Sequence, residues 1–188
     1  MKRIATTALT LAAALAPAAA LAHPGHGDDS FAAGVIHPLT GADHIAAMLL
    51  VGLGAAIFLK RDGWMLPVAF LAALALGFST FALIPSTLAE AGIIASVIAL
   101  GVATAFQAKA PAPIALLLVA LFGYAHGAAH GIEAPQGTTP ALFAGGFLAA
   151  SAALHLGGYV LARTLPVSAL RLIGVGSAGF GLALAALT

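Results

Sequence analysis

Two short stretches of this sequence concentrate side chains able to hold a metal ion. The first, HPLTGADHIAAM at residues 37–48, carries His37, Asp43, His44 and Met48. Thr40 and Asp43, three residues apart, read as a capping box that opens a helix; His44 then falls on its first turns and Met48 one turn further along the same face. Capping alone would account for Asp43, but not for two imidazoles seven residues apart around Pro38. A helix N-terminus carries positive partial charge, so a cation held there needs Asp43 to offset it. The second stretch, HGAAHGIE, covers residues 126–133. On a helix, His126 and His130 lie about 40° apart and Glu133 about 20° to the other side of His126, so three ligand-type side chains share one stripe. The stripe ends at a helix C-terminus, whose carbonyl dipoles favour a cation. The plainer alternative makes these histidines interhelical hydrogen-bonding struts.

The remaining imidazoles fall on either side of these motifs. His155, in AALHLGGY, lies about 20 Å inward along its helix at 1.5 Å per residue, where it is either the next ligand or a packing residue. His23 and His26 stand beside Asp28 and Asp29, either as a metal-capturing tail or as a polar exit from the preceding apolar stretch. Glu90 reads as an interfacial residue; nothing in the sequence singles out Tyr124 or Ser151.

The absence of Cys rules out disulfides, thiolate zinc sites, iron–sulfur clusters and thiol nucleophiles. Imidazole with carboxylate suits nickel, cobalt, zinc, copper(II) or iron(II). Copper(I) would want more sulfur than Met48 and Met65 provide, and magnesium or calcium more oxygen. The side chains by themselves stop at a divalent transition metal.

What must position these groups is set by composition. Of 188 residues, 62% are hydrophobic and 7% charged, far too few charges to solvate a globular surface. The chain is expected to be an all-α membrane protein. With no basic run and a net charge of +1, nucleic acid is excluded as a partner. Met1–Arg3, the apolar run from Ile4 to Ala16 and the ending Ala20, Leu21, Ala22 read as a cleavable signal peptide over residues 1–22, with an uncleaved helix as the alternative. Residues 23–39 follow as a periplasmic His/Asp tail and interfacial segment, with Ser30 to His37 a short interfacial or re-entrant helix closed by Pro38. Residues 40–188 divide into six transmembrane helices, near 40–59, 64–84, 87–107, 113–131, 140–162 and 168–187. Lys60, Arg61, Lys109, Arg163 and Arg171 all fall in or beside the first, third and fifth connections, so those connections face the cytoplasm and both termini the periplasm. The expected location is the bacterial inner membrane, multi-pass. Small residues at close-packing intervals, among them Ala69, Ala73 and Gly77, then Gly123, Gly127 and Gly131, then Gly174 and Ala178, predict a tight bundle.

The leader, HPxxGxDHxxAM at the first span, HGxAHGxE in the fourth and His155 just before a Gly pair in the fifth together resemble the HupE/UreJ family of small nickel permeases. The likeness covers nearly the whole mature chain. It implies nickel uptake for hydrogenase or urease maturation, with His37, Asp43, His44, His126, His130 and Glu133 on the metal path. Gly123 and Tyr124 stand where relatives often present a further polar residue, and nothing is carried onto them.

The expected function is therefore a permease for a divalent transition metal, nickel first, with cobalt, zinc or copper as the other ions the side chains admit. The expected metal residues are His23, His26, His37, Asp43, His44, Met48, His126, His130, Glu133 and His155. The chain is not expected to be an enzyme: HExxH is absent, and no general base stands beside an open metal position. There is no GxxxxGK[ST] to couple transport to a nucleotide. A metal-binding accessory or sensor without transport, and an intramembrane metalloenzyme, are the alternatives. Partners are the metal ion and the lipid bilayer, with a homo-oligomer and cytoplasmic nickel-handling proteins left open.

Overall fold

The computed structural model describes residues 30–59 and 61–188; the expected signal peptide, the tail with His23, His26, Asp28 and Asp29, and Lys60 lie outside the described residues. All regular structure among the described residues is helical: α1 (Ser30–Ile36), a 3-10 turn (His37–Leu39), α2 (Ala42–Ile57), α3 (Met65–Ser79), a second 3-10 turn (Phe81–Leu83), α4 (Ser86–Ala105), α5 (Ala112–Glu133), α6 (Pro140–Thr164) and α7 (Val167–Ala185). Proline starts four of them. Pro85, Pro111 and Pro166 occupy the N-cap of α4, α5 and α7, and Pro140 is the first residue of α6. Proline has no N–H to leave unpaired there, so these ends form without a side-chain cap. At the other end of α4 the chain reverses through Gln107, whose φ is +52°. Its N–H bonds to Thr104 O and that of Ala108 to Ala103 O, a Schellman closure with Gln in the place glycine usually takes.

Helices α4 to α7 are each long and apolar enough to cross a bilayer, and α1 with α2, which meet at 83°, make a fifth span when taken as one broken crossing. The first two spans expected from sequence are shorter as helices. With 16 and 15 residues, α2 and α3 reach about 24 and 22 Å, under the ~30 Å hydrocarbon core. The chain around them is folded instead into the two 3-10 turns, where Pro38 and the approach to Pro85 interrupt helical pairing.

The distribution of side chains is that of a protein whose solvent is lipid. Leu117, Leu121, Leu156, Leu172, Val175 and Leu182 face outward, whereas His126, His130 and His155 are buried. Helices can surround those imidazoles because small residues let backbones touch. A Cβ on Gly127 would lie 2.0 Å from Leu74 O, and one on Gly77 2.1 Å from Tyr124 O, which locks α3 to α5. Gly52 and Gly158 do the same between α2 and α6, where a Cβ on Gly52 would meet His155 O at 2.0 Å. Gly101 with Gly174 and Ala178 joins α4 to α7, and Gly34 with Gly146 seats α1 on α6. Of the small residues predicted to pack, Gly77, Gly123, Gly127, Gly174 and Ala178 thus lie at close helix contacts, whereas Ala69 and Ala73 are only partly buried.

Candidate metal centre

At one end of the bundle three elements converge. The 3-10 turn supplies His37, the first turn of α2 supplies Asp43 and His44, and the last two turns of α5 supply His126, His130 and Glu133. α5 remains helical two residues beyond its expected end, which keeps Glu133 in register with the histidines. His37 Nε2 lies 3.3 Å from Glu133 Oε2, and His130 Nδ1 lies 3.7 Å from the same oxygen. The potential ligand atoms of His37, His130 and Glu133 are all within 4.8 Å of one another. The imidazoles also meet face to edge: His37 and His130 at 4.7 Å between centroids, His44 and His130 at 4.3 Å, His44 and His126 at 5.3 Å.

The start of α2 differs from the expected capping box. The helix N-cap is Gly41, not Thr40, so Asp43 is the second helical residue and no longer stands three beyond the cap. Thr40 Oγ1 donates instead to His37 O, and Asp43 Oδ1 accepts from both the backbone N–H and the ring Nδ1 of His44, each at 2.8 Å. Asp43 is thereby an orienting group for an imidazole. Gly41 makes room for the pair, since a Cβ there would lie 2.9 Å from both Asp43 Oδ1 and His44 Nδ1.

These partners fix which ring nitrogens are available. A carboxylate can only accept, so Nδ1 of His44 donates and Nε2 keeps its lone pair. His126 Nδ1 lies 2.9 Å from Phe122 O, a carbonyl, and the same reasoning frees its Nε2. Such second-partner bonds orient metal-ligating histidines generally. Nε2 of His44, Nε2 of His126 and both ring nitrogens of His130 are buried without a hydrogen-bond partner among the described residues. An unpaired buried polar atom costs about 1–3 kcal/mol. Four in one cluster are explained by a ligand that supplies their partner.

A cavity of about 260 Å³ adjoins the cluster and is lined by Asp43, His44, Glu90 and Glu133. Glu90, read as interfacial from sequence, thus joins a mouth with three carboxylates; its placement one turn into α4, on the side shared with Glu133, was the available signal. Phe70, Phe143 and Phe147, all fully buried, wall the cluster. The Phe70 ring touches both the cluster and His155: its centroid is 5.3 Å from His126 and 5.1 Å from His155. Among ten Phe nothing in the sequence marked this one. His155, with both ring nitrogens buried and unpartnered, lines a second cavity of about 420 Å³ that opens toward the other end of the bundle. Met48 is fully buried in the apolar cluster that includes Leu50, Val51 and Phe70. Ser151 bonds back to Phe147 O, and Tyr124 pairs with Thr80.

Fold and site together define a multi-pass helical membrane protein with buried imidazoles beside partly exposed carboxylates. The family described as HupE / UreJ protein matches residues 11–184, and the chain belongs to that family. It is similar to Protein HupE of Rhizobium leguminosarum bv. viciae, 39% identical over 157 residues that cover 81% of each chain. No solved structure matches it.

Proposed function

We propose that this protein is an inner-membrane permease that takes up a divalent transition metal ion, nickel foremost, with cobalt, zinc and copper as weaker competitors. The observation that carries the proposal is the convergence of His37, His44, His126 and His130 on Glu133 and Asp43, with His44, His126 and His130 each keeping one ring lone pair for a ligand. The family resemblance supports nickel, destined for hydrogenase or urease maturation. The topology we assign has six crossings, α1 being re-entrant and α3 a short crossing, with residues 1–22 removed as a signal peptide and both termini periplasmic. The basic residues of alternate connections support that orientation.

In this mechanism the tail at His23, His26, Asp28 and Asp29 collects the ion, and the carboxylates at the outer mouth draw it in. His37, His130 and Glu133 replace part of its water shell. The ion then moves one helical turn inward to Nε2 of His44 and His126. Beyond it the Phe70 ring closes the way, and His155 receives the ion when that ring yields. Successive sites of modest affinity on either side of a closure are what passage requires. The chain's own role is binding and conduction, without bond-making chemistry.

The test is uptake of radioactive nickel by proteoliposomes holding the purified protein, with His130→Ala and His44→Ala as comparisons. Wild type accumulates nickel and both variants lose it; unchanged uptake in both overturns the site. Nickel binding with no flux would favour the accessory or sensor alternative.

A further inference from the structure

The inner cavity carries a chemistry that a cation path does not call for. Four cationic side chains are described near this end of the bundle. Lys109 donates to Ile57 O at the end of α2, where a cation also suits the helix dipole. Arg171 does not line the cavity. The remaining two, Arg61 and Arg163, both line it, together with Trp64, Tyr159 and the buried His155. Neither guanidinium makes an ion pair with a described residue, and no described Asp or Glu lines this cavity; Asp62, next in sequence to Arg61, stays outside it. Two positive charges on exposed arginines at one cavity repel a bare dication and present fork-shaped donors that match carboxylate and phosphate. Deeper in the same cavity, His155 offers two unpartnered ring nitrogens.

We propose that the inner cavity is an oxyanion site, in which a small carboxylate- or phosphate-bearing ligand pairs with Arg61 and Arg163 and turns an oxygen toward His155. The anion cancels the positive field of the inner mouth. Resting on the permease reading above, it also supplies hard donors that take the metal from His155, so the ion leaves as an anionic complex. Positive-inside topology alone would be met by arginines anywhere in these connections; it does not require that two share one cavity with an unpaired imidazole.

Trp64 is the chain's one tryptophan and lines the cavity, so its emission reports occupancy directly. The full chain in nanodiscs of uncharged lipid is titrated with citrate and with inorganic phosphate at matched ionic strength. In a second arm, phosphatidylglycerol replaces part of the uncharged lipid with no soluble anion added. A saturable emission change in the first arm identifies a soluble anion; one confined to the second identifies a lipid headgroup at the same site. In either case R61Q/R163Q weakens the response at least tenfold, while R61K/R163K, which keeps the charge but loses the fork, falls between it and wild type. No response in either arm, or an equal response in R61Q/R163Q, overturns the proposal. Nickel uptake by proteoliposomes made from the same protein separates the two claims: anion binding without wild-type uptake leaves the site standing and removes the permease.

Discussion

At one end of the bundle four imidazoles from three elements crowd against Asp43 and Glu133; at the other a single imidazole shares a larger cavity with two guanidiniums. Both ends are built on glycine contacts of the same tightness, so the difference lies in side-chain chemistry and not in packing. An electronegative mouth with neutral nitrogen donors concentrates and desolvates a cation. An electropositive one discourages it from staying. On the proposed reading, a capture site and a release site that both touch the Phe70 ring would give the path its direction.

The strongest way to break this contrast is to remove one imidazole from each end. His130→Ala takes away the residue that touches His37, His44 and Glu133 at once. Nickel affinity by calorimetry should fall at least about 100-fold, beyond the 10–100-fold typical of losing only a supporting partner, and uptake should vanish with it. His155→Ala should leave that affinity within about twofold, since on the proposed path Phe70 stands between the sites, yet lower the uptake rate about tenfold or more. Equal losses of affinity in both variants would mean one continuous site and no division into capture and release.

Next in size is Asp43→Asn. The amide keeps the shape of the side chain but weakens its hold on His44 Nδ1–H, so the ring loses the partner that aims Nε2. Affinity should drop about 10–100-fold with the fold unchanged by circular dichroism. If Asp43 were only a capping residue, the same variant would leave both stability and binding nearly unchanged, because Asn caps as well as Asp.

How much of this was legible in advance varies residue by residue. The His126, His130 and Glu133 stripe follows from helical geometry alone, and it survives because α5 runs unbroken through Gly131 to Glu133. The small-residue intervals likewise named the tight contacts of Gly77, Gly123, Gly127, Gly174 and Ala178. Phe70 was not visible, since an aromatic on an apolar helix looks like any core residue until two neighbouring helices each set an imidazole against it. The meeting of His37 with His130, 93 residues apart, was expected from the family resemblance and not from spacing, which does not give the 83° bend between the first two helices. The capping box was misplaced by one residue because Gly41 accepts the extended conformation that Thr40 was expected to hold.

That bend and cap lead to a subtler perturbation, Gly41→Ala. The added methyl would lie 2.9 Å from both atoms of the Asp43 and His44 pair, close enough to push the carboxylate off the ring. No ligand is removed, so the expected loss is smaller than for Asp43→Asn, about three- to tenfold in nickel affinity, and partly recovered at higher nickel. Affinity equal to wild type would show that the pair tolerates displacement and that His44 is aimed by packing.

The smallest expected effect decides what Met48 does. Its position one turn beyond His44 made it a possible sulfur ligand, and it is fully buried. The structure sets it among Leu50, Val51, Leu53, Phe70 and Phe147, an apolar surround that any side chain of similar volume can fill. Met48→Leu conserves that volume and removes the sulfur. Stability should change by under about 1.5 kcal/mol, and nickel affinity by less than about twofold. A larger loss of affinity at unchanged stability would place sulfur in the coordination sphere, soften the outer centre toward copper, and weaken the assignment of nickel as the preferred ion.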